Sequence, residues 1–90
     1  MALHNYLKPC VIGLGYVGLP VFVRLSKKFN TVGFDIKKHR IDYLKKKIDY
    51  NNEFSKSDLK ITNNSFFTFN KNDIKDCNFY IVTVPTPIFK

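Results

Sequence analysis

The sequence predicts an α/β domain built on a parallel sheet. Three observations carry that expectation. Short apolar runs of strand character alternate along the chain with stretches of helical periodicity. Three glycines, Gly13, Gly15 and Gly18, fall where the first such run gives way to the first helix. The next run ends on an acidic residue, Asp35.

Each element can be justified in order. The leader MALHNYLKP closes on Pro9, which lacks an N–H and so belongs at the beginning of a strand. CVIGL follows, apolar on both faces, as a strand buried in a parallel sheet is. From Tyr16 to about Lys28 the pattern changes: Val17, Val21 and Leu25 recur at helical spacing, with Phe22 and Phe29 beside them. Arg24, Lys27 and Lys28 gather at its C-terminal end, where the helix dipole favours cations. Pro20 falls in the first turn, close to where a missing N–H costs least. TVGFDI is a second strand. KKHRIDYLKKKIDY carries Ile41, Leu44 and Ile48 on one face and predicts a second helix along its length. NNEFSKSDLK is rich in turn residues, with Ser57 placed to cap a short helical turn. SFFTFN is a third strand, NDIKDC has room for one helical turn, and FYIVTV is a fourth strand of the fully buried kind, stopped by PTP. Right-handed crossovers between such strands give one parallel sheet.

Composition bounds what this domain can be. Ninety residues, 44% of them hydrophobic, make a single domain with a modest core. Cys10 and Cys77 have neither metal-ligand spacing nor a disulfide framework and read as buried thiols in a reducing, cytoplasmic setting. Fifteen Lys and Arg against seven Asp and Glu leave a net charge of +8. The lysines are spread among Asn, Ile and Phe as solvated helix faces, so no nucleic-acid partner is expected. No segment reaches the roughly 18–20 apolar residues of a membrane span. Cys10 to Val23 is uncharged, but its three glycines and a proline would break the apolar helix of a signal peptide.

In this setting Gly13-x-Gly15-x-x-Gly18 reads as a phosphate-holding turn; the rival reading is a glycine-containing core without a ligand. Gly13 permits the tight strand-to-helix turn, Gly15 lets a pyrophosphate approach the backbone, and Gly18 lets the helix pack closely on the sheet. The N–H groups around Tyr16 and Val17, at the positive end of the helix dipole, would face the phosphates. Asp35 follows Gly13 at about the 20-residue distance at which an acidic side chain accepts the adenosine ribose hydroxyls. A carboxylate there repels a 2′-phosphate, which favours NAD over NADP, while Arg40 is a cation that could meet such a phosphate.

With VIGLGYVGLP, GFDIKKHRI and IVTVPTPI in view, the chain from about Lys8 to Lys90 resembles the N-terminal domain of the UDP-glucose/GDP-mannose dehydrogenase family. Within that family it looks most like the branch that oxidises UDP-N-acetylhexosamines to uronic acids for surface polysaccharides. The resemblance implies a partial Rossmann fold of strand order 3-2-1-4 with flanking helices. It also implies NAD as cofactor and two successive hydride transfers from a sugar C6 alcohol. In such enzymes a cysteine carries thiohemiacetal and thioester stages. Gly13, Gly15, Tyr16, Val17 and Gly18 then match the pyrophosphate loop, Asp35 the ribose ligand, and Arg40 a basic position at the same ribose. Thr83, Pro85 and Thr86 match the loop beside the adenosine and nicotinamide ribose, with Val84 where many relatives carry threonine. The resemblance implies that residues 1–90 are the N-terminal part of an NAD-binding domain, with catalytic and UDP-sugar-binding regions further along the longer relatives. Neither cysteine is a candidate nucleophile, and no catalytic or metal-binding residue is assigned. Without strands five and six the fourth strand should have an open edge that invites self-association. A stand-alone NAD-binding regulatory module and a nonfunctional remnant are the other readings, and the downstream reading frame separates them.

Overall fold

A computed structural model describes residues 6–49, 51–59 and 64–83. The strands are β1 (Pro9–Ile12), β2 (Val32–Phe34), β3 (Phe66–Thr68) and β4 (Phe79–Val82); the helices are α1 (Gly18–Ser26) and α2 (Lys38–Lys45). They form one sheet of order β3-β2-β1-β4, parallel throughout, with Cys10 beside Val32 on one flank and beside Tyr80 on the other. This is the expected 3-2-1-4 arrangement of a Rossmann-type domain. Pro9 opens β1, where its missing N–H removes least from the ladder.

Side chains alternate across the sheet and feed two cores. On one face Val11 and Phe67 join Leu14, Leu19, Phe22, Ile41, Leu44 and Leu59, the residues that α1, α2 and the following turns deliver. The Phe22 and Phe67 rings meet at 4.6 Å between centroids, tilted by 37°, a contact of about 1 kcal/mol beyond simple burial. They lie over Gly33, where a Cβ would come within 3.0–3.1 Å of both rings. On the other face Cys10, Val32, Phe34 and Cys77 form a smaller cluster, with Ile12 and Ile74 against it. The first two crossovers thus cover one face. The third, through the 3-10 turn Lys71–Ile74, covers the other and returns the chain to β1.

Four local expectations change. The buried face of α1 is Gly18, Leu19, Phe22 and Ser26, whereas Val17 is 66% exposed. The helix is rotated because Gly18, and not Val17, must meet the sheet. Helix α2 stops at Lys45, short of Tyr50. Lys47 takes a left-handed φ of 63°, its N–H donates to Leu44 O, and that of Ile48 donates to Tyr43 O. This pair of bonds is a Schellman ending, and it leaves Ile48 largely exposed. The short turn after it is capped by Ser55 and not Ser57: the Asp58 N–H donates to Ser55 Oγ, and Asp58 accepts from the Ser55 N–H in return. Finally, β4 is not buried on both faces, since Phe79, Tyr80 and Val82 are 50%, 45% and 62% exposed.

Candidate functional site

The C-terminal end of β1 is where the chain departs toward β2 while β4 lies on the other side. Parallel sheets leave a crevice at such a switch point. A pocket of about 420 Å³ opens there, lined by Gly13, Leu14, Gly15, Tyr16, Asp35, Ile36, Lys37, Arg40 and Asn51, with Ile12 and Phe34 at its base.

The glycines shape its rim. Gly13 has a φ of +95°, its N–H donates to Phe34 O at 2.8 Å, and its carbonyl accepts from the Thr83 hydroxyl at 2.7 Å. At Gly18 a Cβ would fall on the Gly13 carbonyl and on Thr83 Oγ1, so helix and turn are in contact there. Gly15 differs, because a Cβ on it would meet nothing within 4 Å. The space before Gly15 is therefore open to a ligand that approaches the backbone. Helix α1 begins without a side-chain cap, which leaves first-turn N–H groups for an anion or water.

Asp35 directly follows β2 and faces this turn. Its Oδ2 accepts from the Leu14 N–H at 2.9 Å and its Oδ1 from the Lys37 N–H at 3.0 Å. A carboxylate accepts about four hydrogen bonds, so capacity remains for hydroxyl donors in the pocket. Arg40 comes from the first turn of α2 and is turned inward. Its Nε donates to Leu14 O at 2.8 Å and its Nη1 to Asp49 Oδ1 at 2.8 Å. Asp49 also accepts the N–H groups of Asn51, Glu53 and Phe54. Burial pushes the Asp49 carboxyl up. The hydrogen bonds from Arg40, Asn51 and Glu53, with the guanidinium charge, outweigh it and hold the carboxyl below its ordinary range.

The structure therefore brings Gly13, Gly15, Tyr16, Asp35 and Arg40 to one pocket. Val17 lies exposed beside Tyr16 at the start of α1, while Gly18 is buried behind the rim. Thr83 braces the turn through its hydroxyl and is not part of the pocket lining. Pro85 and Thr86 lie outside the described residues. Asp49 and Asn51 are additions that sequence reasoning missed, because the periodicity of Ile41, Leu44 and Ile48 placed them in or just past a helix. Cys10 and Cys77 sit away from the pocket, on the other core. Burial, then the neighbouring Cys77, pushes the Cys10 thiol up to about 12, and burial raises Cys77 as well. A thiol kept protonated is a poor nucleophile. Among the described residues no cluster of side chains could hold a metal ion, and no helix is long and apolar enough to cross a membrane.

A parallel sheet with an open glycine turn at its switch point and an acidic side chain facing it defines a dinucleotide-binding domain of the Rossmann type. The chain belongs to the UDP-glucose/GDP-mannose dehydrogenase family, whose NAD binding domain matches residues 7–90. The domain family binds NAD. The chain is 51% identical over 82 residues to a UDP-N-acetyl-D-glucosamine 6-dehydrogenase of Pseudomonas aeruginosa and 49% identical over 82 residues to one of Salmonella typhi. Each of these alignments covers 91% of this chain and 19% of the relative, so the chain spans about a fifth of the length of these curated relatives. A UDP-N-acetyl-D-mannosamine dehydrogenase of Methanococcus maripaludis is 32% identical over 96 aligned residues, covering 93% of this chain and 20% of that protein.

The two rim glycines should respond differently to a methyl group. Gly15→Ala is expected to keep thermal stability within about 0.5 kcal/mol, whereas Gly18→Ala should lose about 3 kcal/mol through the forced overlap. Thermal melts followed by circular dichroism check both, and equal losses would contradict the assignment of the open side.

Proposed function

We propose that this chain binds NAD and is the N-terminal part, residues 1–90, of the NAD-binding domain of a UDP-sugar 6-dehydrogenase. Its substrate class would be UDP-N-acetylhexosamines, oxidised to uronic acids in surface-polysaccharide biosynthesis in the cytoplasm. The observation that carries the reading is the pairing of Asp35 with the open backbone at Gly15 across one pocket. Gly13, Gly15, Tyr16, Val17 and Gly18 would hold the pyrophosphate through backbone N–H groups and the helix dipole. Asp35 would accept the adenosine ribose hydroxyls, and its charge would exclude a 2′-phosphate. Arg40 would act at the ribose side through the loop that it supports. Thr83 would keep the turn in shape; Pro85 and Thr86 are proposed as cofactor-binding on the family resemblance alone. Bound NAD supplies a hydride acceptor.

The substrate class is supported by the names of the three relatives described above, which are UDP-N-acetyl-D-glucosamine and UDP-N-acetyl-D-mannosamine dehydrogenases. Catalytic residues are not among those proposed here, since both cysteines face a core and keep their protons. Residues 1–90 alone are therefore proposed to lack dehydrogenase activity. A second copy is the proposed partner of β4, which among the described residues is the outermost strand on its side of the sheet and exposes Phe79, Tyr80 and Val82.

Isothermal titration should show weak NAD binding that Asp35→Asn reduces by ~10-fold or more, the worth of a hydrogen bond to a charged group. No heat from NAD above the dilution control would sink the cofactor reading. Incubation of the ninety-residue chain with NAD and UDP-N-acetylglucosamine should give no steady rise in absorbance from NADH, and a sustained rise would refute its inactivity. Light scattering at high micromolar concentration should give a mass above that of one chain, and a clean monomer would count against pairing through β4.

A further inference from the structure

We infer that Asp49 is a positioning residue that sets cofactor choice: it holds the Arg40 guanidinium inside the pocket wall and so keeps that cation from serving a 2′-phosphate. This rests on the reading of the pocket as the seat of an adenosine ribose.

Arg40 lines the same pocket as Asp35, which is where a cation would help a 2′-phosphate to bind. Yet the Arg40 side chain is only 3% exposed and that of Asp49 is 0% exposed. The two are joined at 2.8 Å, and Nε of Arg40 is held by Leu14 O at 2.8 Å. Asp49 is itself fixed by the N–H groups of Asn51 at 3.1 Å, Glu53 at 2.9 Å and Phe54 at 3.1 Å. Those backbone donors leave the carboxylate one orientation, and that orientation determines where the guanidinium points.

A buried ion pair adds little net stability as a rule, so its effect lies in where it places charge. Arg40 and Asp49 together offer the pocket no net charge. Lys37, also in the lining, is exposed and screened by solvent. The Asp35 carboxylate then dominates what a 2′-substituent meets. Without the Asp49 charge, Arg40 would still be held to Leu14 through Nε, but the carboxylate that offsets its positive charge at 2.8 Å would be gone, which favours a phosphate at the pocket wall.

The test is calorimetric titration of the full chain and of its Asp49→Asn variant with NAD and, separately, with NADP. Asp49→Asn should weaken NAD, strengthen NADP, and lower the preference for NAD by about tenfold. An unchanged preference in a variant with native circular dichroism would overturn the inference while leaving NAD binding intact. Failure of the unaltered chain to bind NAD would overturn the cofactor reading, and this inference with it. Should Asp49→Asn fail to fold, Arg40→Gln decides the matter, because Asp49 keeps its three backbone donors there. NAD and NADP affinities should then fall by the same factor. A selective loss of NADP would show that Arg40 already reaches the 2′ position, and would overturn the proposal.

Discussion

The backbone of Leu14 is gripped at both its N–H and its carbonyl, and the site depends on that grip. Asp35 directly after β2 accepts its N–H, and Arg40 on α2 donates to its carbonyl. Its side chain meanwhile is fully buried in the larger core. One residue of the β1–α1 turn is thereby tied to the next strand, the next helix and the packing beneath. Through Asp49 the tie extends to the turn at 51–54, which carries Asn51 to the pocket wall. Neutral backbone groups bound to charged side chains make hydrogen bonds of the stronger class. The turn is therefore shaped before any ligand arrives.

Close packing on the inner side of the same turn complements that grip. Gly13, Gly18 and Thr83 approach until no methyl fits between them, whereas the outer side at Gly15 is open. The three glycines of one short motif thus do different work. Two let protein meet protein, and one leaves room for something that is not protein. The spacing of the motif follows from this division, because the strand, the turn and the first helical residue must each contribute one contact.

Much of this was legible in the chain. Strand–helix alternation implies one parallel sheet with right-handed crossovers, and the family resemblance adds the 3-2-1-4 order that the sheet has. The convergence of Gly13, Gly15 and Asp35 was also legible, since each sits at the end of an element whose direction the sheet dictates. What could not be read is set by tertiary contact. Helix α1 offers two apolar stripes, Val17–Val21–Leu25 and Leu19–Phe22, and only the approach at Gly18 chooses between them. Helix α2 continues its periodicity through Ile48, while Lys47 gives no local sign of a left-handed turn. The chain turns there to bring Asp49 back to Arg40, a contact between distant parts of a helix and its exit. Arg40 was legible as a cation near the ribose side, but its inward direction depends on Asp49.

The brace that Thr83 supplies to Gly13 spans 70 residues of chain, and β1 finds its partner β4 over a similar separation. Closing so long a loop costs entropy that no local contact repays in advance. The central strand of the sheet is thus completed only by a segment about 70 residues further along the chain. Until then β2 alone borders β1, and the glycine turn lacks the hydroxyl that holds its carbonyl. A site whose motif stands near the beginning of the chain is in this sense a late product of folding, timed by residues far downstream.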